Sequence, residues 1–323
     1  MPANSGKVFA ACVPHAPLVK LQEGQKWASA DFWRAYDDCV AAFDRFDPEL
    51  VVVFGSDHYS NVHLKLMPGF MIGHCAEAIG DSGGIPGKLD VPMALTRALS
   101  HHLVGIGFDV ATSYAMKVDH GFSNVLNFFL HGRLDARPVI PVFINALAEP
   151  RPTLARCRAL GGAVGAWVAA TGKRVAFLGS GGLSHKTGAI FPQFHTAPSD
   201  RVRHYIVHGG SDEGITDADW HGGISEKMDQ ASSGRISGNR SSTINPDWDR
   251  RFLADVAAGE LARFDGWADE DILREGGEGG SEIRMWIAAL AASQAAGGRT
   301  PIVDYYSDDT SIGVGAAVVH MPA

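Results

Sequence analysis

Short apolar runs bounded by turn residues recur along the chain at residues 7–12, 49–54, 110–114, 139–144 and 174–178. They are rich in Val, Ile and Phe and too short for helices, which predicts buried β-strands. Between them, residues 32–46, 92–104 and 152–170 place apolar side chains at helical spacing, the last segment opening near a proline. Strands alternating with helices predict an α/β fold, a three-layer sandwich whose helices cover a central sheet that is largely parallel or mixed. From about 194 to 245 polar residues, Gly and Ser dominate. That change predicts weak helices and exposed loops, a cap-like insertion on a single catalytic domain spanning residues 1–323. An amphipathic helical pattern returns over 248–275. A flexible Gly-rich loop then leads to a strongly apolar helix with Ser281 in the N-cap position.

Four of the predicted strands run into a histidine. The first continues to VPHAP with His15, and the second, VVVFGSDHYS, ends on Asp57-His58. The third continues through AMKV to Asp119-His120-Gly121, and the fifth runs into GSGGLSH with His185. Ligands of open α/β sheets bind outside the carboxyl ends of the strands, so four parallel neighbours would gather these side chains at one rim. A lone histidine is usually a loop residue bonded to a nearby carbonyl; four in matching positions, two of them after Asp, point to a shared site. The remaining histidines, His195 included, have no repeated context.

Two imidazoles and one carboxylate with open positions form the facial triad of non-heme Fe(II) oxygenases. That leaves two histidines for proton transfer, with an ordinary pKa of about 6.5. Glu282, at the first turn of the apolar helix, is the first candidate carboxylate, and Glu278 in the preceding loop is the second. A glutamate at a helix N-terminus is equally well accounted for by the helix dipole. Asp57 and Asp119 are candidates to orient neighbouring groups or simply to cap turns. The run FLGSGGLSH lacks the phosphate-loop and dinucleotide glycine spacings. Ser184 beside His185 lacks the G-x-S-x-G elbow of a nucleophile.

Composition narrows the setting. The 323 residues are 46 % hydrophobic and 20 % charged, with formal charge -8 and a pI near 5.9. No basic stripe is present, which argues against nucleic acid or an anionic membrane as partner. No apolar run approaches the roughly 20 residues of a membrane helix, and the N-terminus has no signal-peptide pattern, so a cytoplasmic protein is expected. Cys12, Cys39, Cys75 and Cys157 are scattered without a C-x-x-C pair, which predicts reduced thiols.

Together VPHAPL, GSDHY, KVDHGF, PVFINALAEP, FLGSGGLSH and SEIRMWIAAL resemble the class III extradiol ring-cleaving dioxygenases, the superfamily of the protocatechuate 4,5-dioxygenase catalytic subunit. The likeness is closest to its 2,3-dihydroxyphenylpropionate branch and is weakest over 194–245 and 301–323. It implies Fe(II) held by His15, His58 and Glu282, with His120 and His185 as the acid–base pair; the order read here is His185 as base and His120 as acid, and the reverse order stays open on the sequence. It implies a small aromatic diol and O2 as partners, a ring-opened semialdehyde acid as product, and a homo-oligomer. Two alternatives stay open on the same residues: a hydroxypyridone-type ring as substrate, or a metal-dependent hydrolase.

Overall fold

In the computed structural model the described residues are 7–15, 19–20, 25–26, 29–232, 244–308 and 313–322. The strands are β1 (Val8–Val13), β2 (Val19–Lys20), β3 (Gln25–Lys26), β4 (Leu50–Gly55), β5 (Phe70–Gly73), β6 (Ala76–Ala78), β7 (Gly87–Lys88), β8 (Ala111–Ser113), β9 (Met116–Val118), β10 (Val139–Ile144), β11 (Val175–Ser180), β12 (Ile302–Ser307) and β13 (Ala316–Met321). The helices are α1 (Ala30–Phe46), α2 (Met93–Gly105), α3 (His120–Phe129), α4 (Leu154–Ala169), α5 (Asp200–His208), α6 (Asp217–Ser232), α7 (Pro246–Ala257), α8 (Asp269–Gly276) and α9 (Ile283–Ala295).

Eight strands form one sheet in the order β12-β13-β1-β11-β4-β10-β5-β8. Its centre, β1-β11-β4-β10, is parallel, while β13 and β5 join it antiparallel. Every residue of these four strands is buried, because both faces are covered. The alternation of side chains divides them between two cores. Val8, Ala10 and Cys12 face the core shared with α2, α4, α7 and α9. Phe9, Ala11 and Val13 face the core shared with α1 and α3. The predicted three-layer sandwich with a mixed sheet therefore holds.

Three local expectations are corrected. The segment 110–114 contributes only Ala111–Ser113, at the sheet edge, and the chain then pairs Met116–Val118 into a separate three-stranded sheet, β7-β6-β9. His120 thus follows a strand of this small sheet, not one of the central neighbours. The segment 248–275 is broken into α7, a 3-10 turn at Leu261–Gly266, and α8. Ser281 is no N-cap: it lies within a 3-10 turn, Gly279–Glu282, that runs straight into α9. A capping side chain needs extended backbone, and Glu282, at the cap position, is helical (φ -68°, ψ -15°).

The polar stretch from 194 holds α5 and α6, and its residues 233–243 lie outside the described ones. Tyr205, Ile206, Trp220 and Ile224 of these helices form a third apolar cluster with Tyr59, Leu147 and Phe191. Among the described residues no helix is long and apolar enough to cross a membrane.

Candidate active site

Register decides which residues meet. Val13 pairs with Ser180, and Gly179 with Phe54, so β1, β11 and β4 end side by side at one rim. The loops that leave them carry His15, His185 and His58. His120 reaches the same place as the first residue of α3, N-capped by Asp119, whose Oδ1 accepts from Gly121 N at 2.9 Å. Helix α3 can press on the end of β4 because residue 121 is glycine: a Cβ there would lie 2.4 Å from Ser56 O. Glu282 arrives at the head of α9, and its Oε2 accepts from Gly182 N at 2.5 Å. All four histidines and Glu282 are buried.

Hydrogen bonds fix the faces of three imidazoles. Ser180 Oγ lies 2.6 Å from Gly121 O and 3.0 Å from His15 Nδ1. The carbonyl can only accept, so it takes the single hydroxyl proton and His15 Nδ1 must donate to Ser180. His15 Nε2 then carries a lone pair, 3.3 Å from Glu282 Oε1. His58 Nδ1 lies 3.1 Å from Asp119 Oδ2, which also accepts from His58 N at 2.7 Å, and its Nε2 points to the same Glu282 oxygen at 3.7 Å. His185 Nδ1 donates to Leu183 O at 2.8 Å, leaving its Nε2 bare, 4.0 Å from Glu282 Oε1.

Electrostatics agree that this point wants positive charge. Burial pushes His15 below its ordinary value against the pull of Glu282. Burial opposes a charge on His58 too, but Asp119 and Glu282 outweigh it and hold His58 at about 10. Burial alone would raise Glu282; His15, His58 and His185 keep it well below the carboxylate range. Asp119 is likewise held down, burial being overcome by His58 and His120. Bare Nε2 atoms facing a carboxylate repel unless a proton or a metal cation lies between them, and imidazole with carboxylate suits a borderline metal ion. The donor set therefore fits a divalent metal.

His120 is placed differently. Its ring stacks on His58 at 4.2 Å with 18° between planes, and its Nδ1 meets Asp81 Oδ2 at 2.5 Å. Ligand atoms of His15, His58 and His120 also lie within 4.8 Å of one another, so a three-histidine ligand set is geometrically open. Phe191, 4.7 Å from the His58 ring, walls the site on the side of the third cluster.

A family model described as the catalytic LigB subunit of aromatic ring-opening dioxygenase matches residues 9–318. The chain belongs to this family. This ring-opening dioxygenase is 38 % identical over 307 residues to a 2,3-dihydroxyphenylpropionate/2,3-dihydroxicinnamic acid 1,2-dioxygenase of Mycolicibacterium paratuberculosis, covering 95 % of this chain and 96 % of that one. It is 40 % identical over 305 residues to the enzyme of the same name from Mycobacterium ulcerans, covering 94 % and 95 %. The crystal structure of an uncharacterized protein from Escherichia coli K12 shares the fold, with TM-score 0.53 and 12 % identity over 97 % of this chain and 98 % of that one. The resemblance to class III extradiol dioxygenases is thus borne out.

Other residues of the dioxygenase resolve into supporting parts. Asp119 both caps α3 and bonds His58, so its two sequence readings are both correct. Asp57 only caps a turn, accepting from the backbone N of Ser60, Asn61 and Val62. Glu278 accepts from Thr187 N and lines a narrow cavity with His58, Gly279 and Glu282. Cys12 faces α9 beneath the sheet, 3.8 Å from Trp286 O, apart from the histidines, and all four cysteines are free. Ser184 Oγ donates to buried Asp249 and holds the His185 loop. His195 is exposed in the 3-10 turn Phe194–Thr196. Two site residues had no sequence signal: Ser180, read as part of a glycine loop, and Asp81, in an unremarked turn.

Proposed function

We propose that this chain is an Fe(II)-dependent extradiol dioxygenase that opens a catechol-type ring with O2 to a semialdehyde acid. Its substrate is a 3-substituted catechol such as 2,3-dihydroxyphenylpropionate, a choice supported by the names of its curated relatives. The observation that carries the metal is the convergence of His15 Nε2 and His58 Nε2 on Glu282 Oε1. These three residues would hold the Fe(II), which when bound would supply the redox chemistry that couples the diol to O2.

The chain's own residues handle protons. His185, with Nδ1 committed to Leu183 O, has Nε2 free to take the second hydroxyl proton of the diol. His120 gives a proton from Nε2 to the oxygen that leaves as the ring opens. Burial of the whole cluster keeps bulk water from competing for these transfers. The segment 194–245 serves as a cap on a single catalytic domain, and the chain assembles as a homo-oligomer, which light scattering checks.

The test is oxygen uptake by anaerobically purified, Fe(II)-loaded protein given 3-(2,3-dihydroxyphenyl)propionate, plain catechols and hydroxypyridones. Uptake with a new visible absorption band on a catechol is the expected result. Uptake on a hydroxypyridone alone would move the substrate, and no uptake with iron confirmed bound would overturn the oxygen chemistry. Iron content separates the ligand sets. His15→Ala, His58→Ala and Glu282→Gln should lose iron; His120→Ala and His185→Ala should keep it and lose about 10²–10⁴-fold in turnover. Iron loss in His120→Ala would favour the three-histidine set.

A further inference from the structure

We infer that Asp81 is the positioning residue for His120, holding the Nδ1 proton on the ring so that the proton on Nε2 is the one turned to the reaction and given up, and the two act as one acid–base unit. This rests on the reading of His120 given above. Asp81 lies in the turn between β6 and β7, where Gly80 (φ 76°), Ser82 (φ 48°) and Gly83 (φ 83°) all take left-handed backbone. Ser82 adopts a conformation that L side chains avoid, so the turn is shaped for a purpose other than local ease. Gly84 N closes it onto Asp81 O at 2.8 Å. A Cβ on Gly84 would lie 2.7 Å from Asn124 Oδ1 and 3.3 Å from Ser123 Oγ. The turn is thereby packed directly on α3, the helix that begins with His120.

The use of the carboxylate distinguishes Asp81 from its neighbours. Asp57 is saturated by three backbone N–H groups and Asp119 accepts from two, as suits acids that shape the chain. The Asp81 side chain, 1 % exposed, meets His120 Nδ1 at 2.5 Å and Ser82 Oγ at 3.4 Å. Its Oδ1 has no hydrogen-bond partner among the described residues. A buried carboxylate is costly unless well paired, and this one is committed to one ring nitrogen. The other ring contacts, stacking on His58 at 4.2 Å and on Phe191 at 6.3 Å and the edge-on meeting with His15 at 5.5 Å, do not tell Nδ1 from Nε2. Only Asp81 does, by demanding a proton on Nδ1.

Asp81→Asn tests this, because an amide of the same size can donate to Nδ1 and leave the ring with its Nε2 proton alone, which it cannot give up without becoming an anion; the equivalent substitution, which sets the wrong tautomer, costs about 10⁴-fold in the serine-protease triad. The expected result is a fall of about 10²–10⁴-fold in kcat, with iron per chain and the KM for the catechol near wild type. In a His120→Ala background the same substitution should cost nothing further, since its partner is gone. Wild-type kcat in Asp81→Asn, an equal loss in both backgrounds, or loss of iron would each overturn the inference. Should Asp81→Asn fail to fold, ¹⁵N NMR of histidine-labelled, metal-free wild type decides: Nδ1 of His120 must carry a proton, and a bare Nδ1 sinks the idea. Wild type that turns over no catechol would instead refute the proposed function, and the NMR measurement would still judge the pair.

Discussion

Ser180 has one hydroxyl proton and two partners, and that arithmetic sets which nitrogen of His15 is bare. Ser180→Ala removes the acceptor of His15 Nδ1 and frees the ring to rotate or change tautomer. Partners of this kind are worth about 10–100-fold in metal affinity. A loss of that size should appear in Fe(II) titration of Ser180→Ala, with the melting curve little changed; unchanged affinity would mean that His15 is held by packing alone.

His58 carries a pH prediction. Held at about 10 without metal, it is protonated at neutral pH and must lose that proton before Nε2 can bind iron. Fe(II) binding should release about one proton per site and tighten about tenfold per pH unit from near 7 toward 10. Calorimetry in buffers of different ionisation enthalpy measures the proton, and binding without release would contradict the assignment. In the metal-free fold the sign for stability is the reverse. The raised value stabilises fully below the ordinary value of about 6.5, and the contribution is lost as pH rises through about 10.

The histidines were legible as residues because a basic ring directly after a buried strand is out of place there. Ser180 and Asp81 were not, since their partners lie 165 and 39 residues away and no spacing rule spans such distances.

Among the elements, helices α4 and α9 pack through glycines of the segment 152–170, whose helical spacing alone gave them no role. A Cβ on Gly161 would lie 2.1 Å from Ala288 O, and one on Gly165 would lie 2.0 Å from Ala292 O. The two backbones therefore nearly touch, and this contact seats α9 with Glu282 at its head. Gly165→Ala should force the helices apart at a cost of about 1–3 kcal/mol, read as a lower midpoint in urea; an unchanged midpoint would show that α9 is seated from its other side.

The Gly-rich loop before α9 also reads differently once folded. It was expected to be flexible, yet Gly279 and Gly280 are buried, and a Cβ on Gly279 would lie 2.1 Å from Cε1 of His185. Gly279 makes room for the His185 ring, and Gly280 for Trp248. Gly279→Ala should therefore lose turnover while retaining iron, and iron loss would mean that the displacement reaches Glu282. Composition showed where the chain could bend, and only packing showed what the glycines make room for.

At the scale of the whole molecule, the proposed ligands come from residues 15, 58 and 282, on loops leaving β1 and β4 and at the head of α9. Helix α6 adds a fourth tie: its Trp220 Nε1 donates to His58 O at 3.2 Å. The expectation that four parallel neighbours deliver the site was right for β1, β11 and β4 and wrong for the strand before His120. The sequence repeats the strand-to-histidine pattern, but an isolated strand does not say which sheet it will join. A cation at this meeting point would link segments far apart in sequence and bind only where the fold holds them together. It should therefore stabilise the native state by about 4 kcal/mol at a thousandfold excess over its Kd. Stripping the metal with a chelator should lower Tm by several degrees, and Fe(II) should restore it. His15→Ala should melt at one temperature with or without Fe(II), because two remaining ligands hold the ion too weakly to matter. Full stabilisation of that variant by Fe(II) would place the metal elsewhere and return His15 to the role of a loop histidine.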